Sequence, residues 1–415
     1  MGEATDLQAA ARDGVVVVGA GQAGAATILR LRANGFAGPI TLIGAEAEPP
    51  YQRPPLSKKF LTGEYAKDRL YLRPLAAYAQ LDVTLMLGRE VCRIDRLNRR
   101  VELDDGSTLP FGRLVLATGA RPRPLPETLR GTFENIYLFR TFADTQRLQA
   151  EMMPGRRILV VGGGYIGLET AAVARQLGLE VVLVEQADRI LQRVASDETS
   201  SHFRNLHRSE GVRILEANRL LELDGTGGRA TRATLSGEGE VLFDFAVVGI
   251  GVSVNGELAD EAGLEVDGGI VVDSRCRTAD PAIFAVGDCT SFPYQSGRTR
   301  LESVHNAIAQ GELVADAIAG KQVGPYAPVP WFWSDQFSTK LQIAGLNAGY
   351  DRVVRRPGGR EDSLSVWYFR AEALIAVDAI NDARAYMTGK RWLEAGITPN
   401  AAAIADPAVD FKAAS

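Results

Sequence analysis

Two glycine triplets carry the plainest chemistry in this chain of 415 residues. Gly19, Gly21 and Gly24 follow the run Val15–Val18 in G-x-G-x-x-G spacing, and Gly162, Gly164 and Gly167 repeat that spacing after RILVV. In such a loop the first glycine makes the turn and the second lets backbone meet a pyrophosphate, while the third lets helix sit on strand. Each stretch ends in an acid, Glu46 lying 22 residues after Gly24 and Glu185 lying 18 residues after Gly167. A carboxylate there holds the hydroxyl pair of a ribose. One such spacing is weak evidence, but two complete units with acidic ends are strong. They mean two dinucleotides, or one enzyme with a bound and an exchanging cofactor. Gln186 and Ala187 follow Glu185, leaving no base where a 2′-phosphate would lie. The second cradle is therefore expected to prefer NADH over NADPH, with Arg189 the nearest objection.

The elements that must position these loops are strand, helix, strand, twice over. VVVV, a helix AATILRLRANG stopped at Gly35 and the strand PITLIG form the first set. RILVV, a helix stopped at Gly178 and EVVLVE form the second. Each helix turns its N-terminus toward an anion, where the dipole and free amides favour negative charge. The 43 glycines suit backbone that approaches ligands closely, and 46% hydrophobic with 23% charged residues is the balance of a globular protein. A net charge of −5 argues against nucleic-acid binding. Cys92, Cys276 and Cys289 form no C-x-x-C, and with three histidines they make no convincing metal set. MGEATDLQAAARDG lacks the pattern of a signal peptide, and no apolar run is long enough for a membrane span. The expectation is a reduced, cytoplasmic, soluble protein. Cys289 is expected to be a buried small hydrophobe.

LVLATGARPRPL at 114–125 and TADPAIFAVGDC at 278–289, with the paired cradles, resemble the two-dinucleotide flavoprotein reductases related to glutathione reductase. PYQRPPLSKKFL at 50–61, LESVHNAIAQ at 301–310 and PWFWSDQ at 330–336 narrow the resemblance to NADH-dependent reductases of 2Fe–2S ferredoxins and rubredoxin. The match runs from about residue 14 to about 400. It implies an α/β fold with two Rossmann-type domains and a C-terminal α+β domain. The FAD domain is expected at 1–120 and 253–325, the NAD domain at 121–252, and the C-terminal domain at 326–415. FAD would be bound by Gly19, Gly21, Ala23, Gly24, Glu46, Arg53, Lys58, Val91, Ala117, Thr118, Gly119, Arg140, Asp288, Val304 and Trp333. Exchanging NADH would meet Gly162, Gly164, Tyr165, Ile166, Gly167, Glu169, Glu185 and Gly251. Two positions depart from the family's pattern: Ala45 where relatives often carry aspartate, and Val254 where they carry proline.

The stretch Pro54-Pro55-Leu56-Ser57-Lys58 holds no cysteine where disulfide reductases and NADH peroxidases of this fold carry one. Flavin would then be the only redox centre, taking two electrons as hydride and giving them up singly. The resemblance places Lys58 near the flavin ring, paired with Glu169. Trp333 would shield the ring, and Trp331 is expected to pack in the core of the C-terminal domain. LQIAGL, DRVVRR and SLSVWYF read as strands of that domain and RAYMTGKRWLEAG as a helix. Residues 49–73 carry six bases against two acids and are expected to contribute to a face for an acidic 2Fe–2S ferredoxin. That ferredoxin would feed a monooxygenase or dioxygenase, and the chain is expected to be a monomer. A rubredoxin reductase, an NADH oxidase and a redox sensor of the apoptosis-inducing-factor type stay open as alternatives.

Overall fold

The computed structural model describes residues 14–295 and 297–414, so the N-terminal stretch read for a signal peptide lies outside it but for Gly14. Contacts divide the chain into two compact units. The first comprises residues up to Gln52, Ala66–Arg121 and Ser253–Pro328; the second comprises Arg53–Tyr65, Pro122–Val252 and Val329–Ser415.

In the first unit the β-branched run forms β1 (Val15–Val18), followed by α1 (Gln22–Ala33) and β2 (Ile40–Gly44). β1 lies at the centre of a five-stranded parallel sheet in the order Ile283–Ala285, Arg113–Leu116, β1, β2, Val83–Leu87. All four residues of β1 are buried, as a strand covered on both faces requires. The helix Val304–Ile318, N-capped by Ser303, crosses α1 closely because Gly311 has no side chain. A Cβ there would stand 2.7 Å from the carbonyl oxygen of Ala23.

The second unit repeats the plan with β3 (Arg157–Val161), α2 (Tyr165–Gln176) and β4 (Glu180–Val184). Its parallel sheet runs Arg213–Leu215, β4, β3, Phe245–Val248, Ile136–Leu138. α3 (Asp197–Ser209) follows β4 in the chain. The C-terminal part of this unit is a five-stranded antiparallel sheet with β5 (Trp331–Gln336) at one edge. Thr339–Gly345, Ala373–Ile380, Leu364–Arg370 and Arg352–Pro357 follow in that order. The helix Ala383–Ala395, capped by Asp382 and ended by Gly396 at φ 65°, packs its Tyr386 and Trp392 with Trp367 and Phe411 in the core of this part.

The two compact units cut across the expected domain bounds. Residues 53–65, kept in the first domain by the sequence reading, pack in the second unit, because Lys58 pairs there with residues far along the chain. From Val329 onward the chain is grouped by contacts with 122–252 in the second unit. The strand Ala373–Ile380 escaped the sequence reading although its run ALIAVDAI is almost wholly apolar. Among the described residues no helix is long and apolar enough to cross a membrane.

Candidate functional site

The first cradle shows why its glycines are glycines. Gly19 has φ 116°, and a Cβ on it would stand 2.1 Å from the Ala117 carbonyl oxygen. A Cβ on Gly24 would stand 2.0 Å from the carbonyl oxygen of Gly19, whereas one on Gly21 would meet nothing within 4 Å. The open side at Gly21 leaves backbone room for an anion, and α1 begins there with no side-chain cap and no acid in its first turn. Thr118 and Gly119 are tied to Asn255: Thr118 Oγ1 donates to its carbonyl oxygen at 2.6 Å, and Asn255 N donates to Gly119 O at 3.0 Å. Gly287, beside Asp288, packs on Ala23, where a Cβ would come within 3.0 Å of the Ala23 methyl. Val304 opens the helix that runs past them. Glu46 accepts from the Tyr51 hydroxyl, and Gly88 N donates to Glu46 O at 3.0 Å, which brings the turn before Val91 beside β2. The residues present fit a dinucleotide.

The second cradle is built alike. A Cβ on Gly162 would stand 2.5 Å from Gly249 O, one on Gly167 2.0 Å from Gly162 O, and one on Gly164 in open space. α2 also starts without a side-chain cap or a first-turn acid. Glu185 turns its carboxylate to this loop, accepting from Gly163 N at 2.6 Å and Ala187 N at 2.8 Å. Arg189 points elsewhere: its guanidinium donates to the carbonyl oxygens of Ala195 and Ser196 and to Ser200 Oγ at the start of α3. Gly251, at φ 105°, accepts from Arg123 N at 2.9 Å, and Ile166 is exposed in the first turn of α2. These residues fit a second dinucleotide.

A part-buried ionic cluster adjoins α2. Two prolines start the short turn Pro54–Ser57, and Lys58 follows it. Lys58 Nζ lies 3.1 Å from Glu169 Oε1, 3.5 Å from Asp335 Oδ2 and 5.9 Å from the centre of the Trp333 ring. Glu169 is 4% exposed. Burial pushes its carboxyl up from the ordinary value, opposed by Lys58 and by the hydroxyls of Ser334 and Ser57. Arg53, at the head of the same turn, donates to Arg140 O at 2.9 Å. The structure thus gathers Lys58, Glu169 and Trp333, and separately Arg53 and Arg140.

The two tryptophans of β5 share a face as the pleat demands, with ring centres 5.7 Å apart and planes at 33°. Trp331 packs against the core that holds Trp367 and Trp392. The opposite, even-numbered side of β5 escaped the sequence reading. Phe332 lies 4.9 Å from the Tyr165 ring and Ser334 donates to Glu169 Oε1 at 2.7 Å. Four residues of helix rise about 6 Å and two of strand about 6.8 Å, so Tyr165 and Glu169 meet Phe332 and Ser334 in step. The only signal in the sequence was the small polar Ser334 in an aromatic strand. Cys289 is fully buried, and burial raises its thiol above the ordinary range. In the basic segment, Lys67 pairs with Glu48 at 2.8 Å and Lys59 with Glu64 at 3.8 Å.

Residues 13–311 match the pyridine nucleotide-disulphide oxidoreductase family, and residues 331–415 match the reductase C-terminal family. Rhodocoxin reductase of Rhodococcus erythropolis is 40% identical over 396 residues, covering 94% of this chain and 92% of its own. The ferredoxin–NAD(+) reductase component of the anthranilate 1,2-dioxygenase system of Burkholderia cepacia is 41% identical over 410 residues, covering 96% and 98%. Among solved structures, the covalent putidaredoxin reductase–putidaredoxin complex matches with a TM-score of 0.92 at 37% identity, covering 96% of this chain and 97% of the other.

Proposed function

The chain belongs to the pyridine nucleotide-disulphide oxidoreductase family, and from that premise we propose that it carries electrons from NADH to a 2Fe–2S ferredoxin serving a monooxygenase or dioxygenase. It is an FAD oxidoreductase of the ferredoxin–NAD(+) reductase class that uses NAD(P)H. When bound, the flavin supplies the conversion of a hydride into single electrons.

The rest is done by residues of this chain. The first cradle, with Glu46, Ala117–Gly119, Asp288 and Val304, holds FAD, and the family resemblance adds Arg53, Lys58, Arg140 and Trp333. The second cradle, with Tyr165, Ile166, Glu185 and Gly251, orients the exchanging nucleotide. Its preference for NADH rests on one observation: Glu185 holds the loop with its carboxylate, and Arg189 is spent on α3. A carboxylate there repels a 2′-phosphate, and the Arg189 guanidinium is turned away from it. Lys58 brings a fixed positive charge, held by Glu169, to the place where negative charge develops. Trp333 keeps water and O₂ from that place. The enzyme works as a monomer in the cytoplasm.

NADH-driven reduction of cytochrome c, with a 2Fe–2S ferredoxin or a rubredoxin as relay, tests the reading. A large rate that depends on the ferredoxin is expected. Flavin reduction without relay to either carrier, with oxygen consumed instead, would overturn it.

A further inference from the structure

Glu169 is the end of a one-way chain of hydrogen bonds. Oε2 accepts from Ser57 Oγ at 2.8 Å, and Oε1 accepts from Ser334 Oγ at 2.7 Å and from Lys58 at 3.1 Å. A carboxylate only accepts, so Ser334 commits its single proton to Glu169. The Ser334 oxygen is then left to accept, and Gln336 Nε2 donates to it at 3.1 Å. That sets the amide of Gln336, whose Oε1 faces His207 Nε2 at 2.8 Å. An amide oxygen accepts, so His207 carries its proton on Nε2. Its Nδ1 is buried without a hydrogen-bond partner among the described residues, so no acceptor is offered to a proton there. Burial holds that ring's pKa down at about 4, so it stays neutral at pH 7.

We propose that His207, Gln336 and Ser334 form a positioning chain that holds Glu169 ionised and aimed at Lys58, coupling α3 and the edge strand β5 to the cation that serves the flavin. The proposal rests on the reading of Lys58 as that cation. Aligned donors polarise one another, so each link strengthens the last bond, the one to the carboxylate. All three links are fully buried, and no competing donor from water reaches them. The groups facing Glu169 come from three sides. The 54–58 turn gives Ser57 and Lys58; β5 gives Ser334 and, through Lys58, Asp335, which also pairs with Lys340 at 2.8 Å; α3 gives His207 at the far end. On α2 itself, one turn earlier, stands Tyr165, whose hydroxyl feels Asp378 and Tyr368.

The chain holds three histidines, so the ¹⁵N spectrum of the holoenzyme resolves the point directly. His207 is expected neutral from pH 5 to pH 8 with its proton on Nε2; a proton on Nδ1 would reverse the donor order and overturn the proposal. Single-turnover reduction of the flavin by NADH gives the second arm. In S334A the carboxylate loses a charge-assisted hydrogen bond, so the acid limb of the rate profile moves up by about one pH unit, and S334T restores it. An S334A limb that coincides with the wild type overturns the proposal. K58M separates the two readings: reduction at the wild-type rate would remove the flavin-side role of Lys58, while the Nε2 proton of His207 would still support the chain.

Discussion

A carboxylate at the end of β4 does two things that reinforce each other. Glu185 braces the glycine loop through the amides of Gly163 and Ala187, and the same contacts fix where its charge lies. The sequence reading found this residue from its distance to Gly167, because the spacing from loop to strand end is set by one helix and one strand. It could not decide whether Arg189 would answer the carboxylate, since that depends on where the side chain turns. The structure turns it to Ala195, Ser196 and Ser200. Replacing Glu185 with serine and Gln186 with arginine is therefore expected to raise the ratio of kcat/KM for NADPH over NADH by at least tenfold. The KM for NADH should rise as well, because the loop loses its brace. Steady-state kinetics with both nucleotides checks this, and an unchanged ratio would remove the assignment.

At the scale of elements, the C-terminal sheet carries a buried acid that nothing in the local pattern announced. Asp378 sits in the strand Ala373–Ile380, fully buried, and its Oδ2 accepts from Thr199 Oγ1 at 2.8 Å and from the Tyr368 hydroxyl. Its Oδ1 has no hydrogen-bond partner among the described residues. Burial pushes this carboxyl up from 3.8 to about 6. A folded-state value above the unfolded one means that the protonated acid favours the folded chain. That stabilisation is complete below about pH 3.8 and is lost as pH rises through about 6. D378N has nothing to titrate there. Its Tm relative to wild type should therefore climb between pH 4 and pH 6.5 and level above, by the equivalent of about 3 kcal/mol. Calorimetry across that range decides it, and a difference that does not change with pH would sink the assignment.

For the whole molecule, charge matters through its distribution. The chain is acidic at −5, yet residues 49–73 concentrate bases. Lys59 keeps 56% of its side chain exposed and, among the described residues, has only Glu64 at 3.8 Å for an ion pair. Exposed pairs of this kind are worth little and are screened by salt. If the segment meets an acidic ferredoxin, K59E should raise the KM for ferredoxin several-fold at low ionic strength, and the difference should vanish near 0.5 M salt. Equal KM values for K59E and wild type at low salt would move the docking face elsewhere.

Both glycine loops, the strands and helix that flank each, and the carboxylate of Glu185 were legible in the amino-acid order, because each depends on spacings within about thirty residues. A β-branched run, glycines at fixed offsets and a helix of set length force one local geometry. The partners of Lys58 were not legible from spacing, since Glu169 and Asp335 lie more than a hundred residues away in the chain. Only packing brings them within reach, and it draws residues 53–65 into the second unit. The edge strand β5 shows the same division. Alternation with period two sorts its residues onto two sides, so the shared face of Trp331 and Trp333 follows from the sequence. Which side lies against α2 does not follow from it. The tertiary structure gave that place to Phe332 and Ser334, which meet Tyr165 and Glu169 because helix and strand rise in near register there.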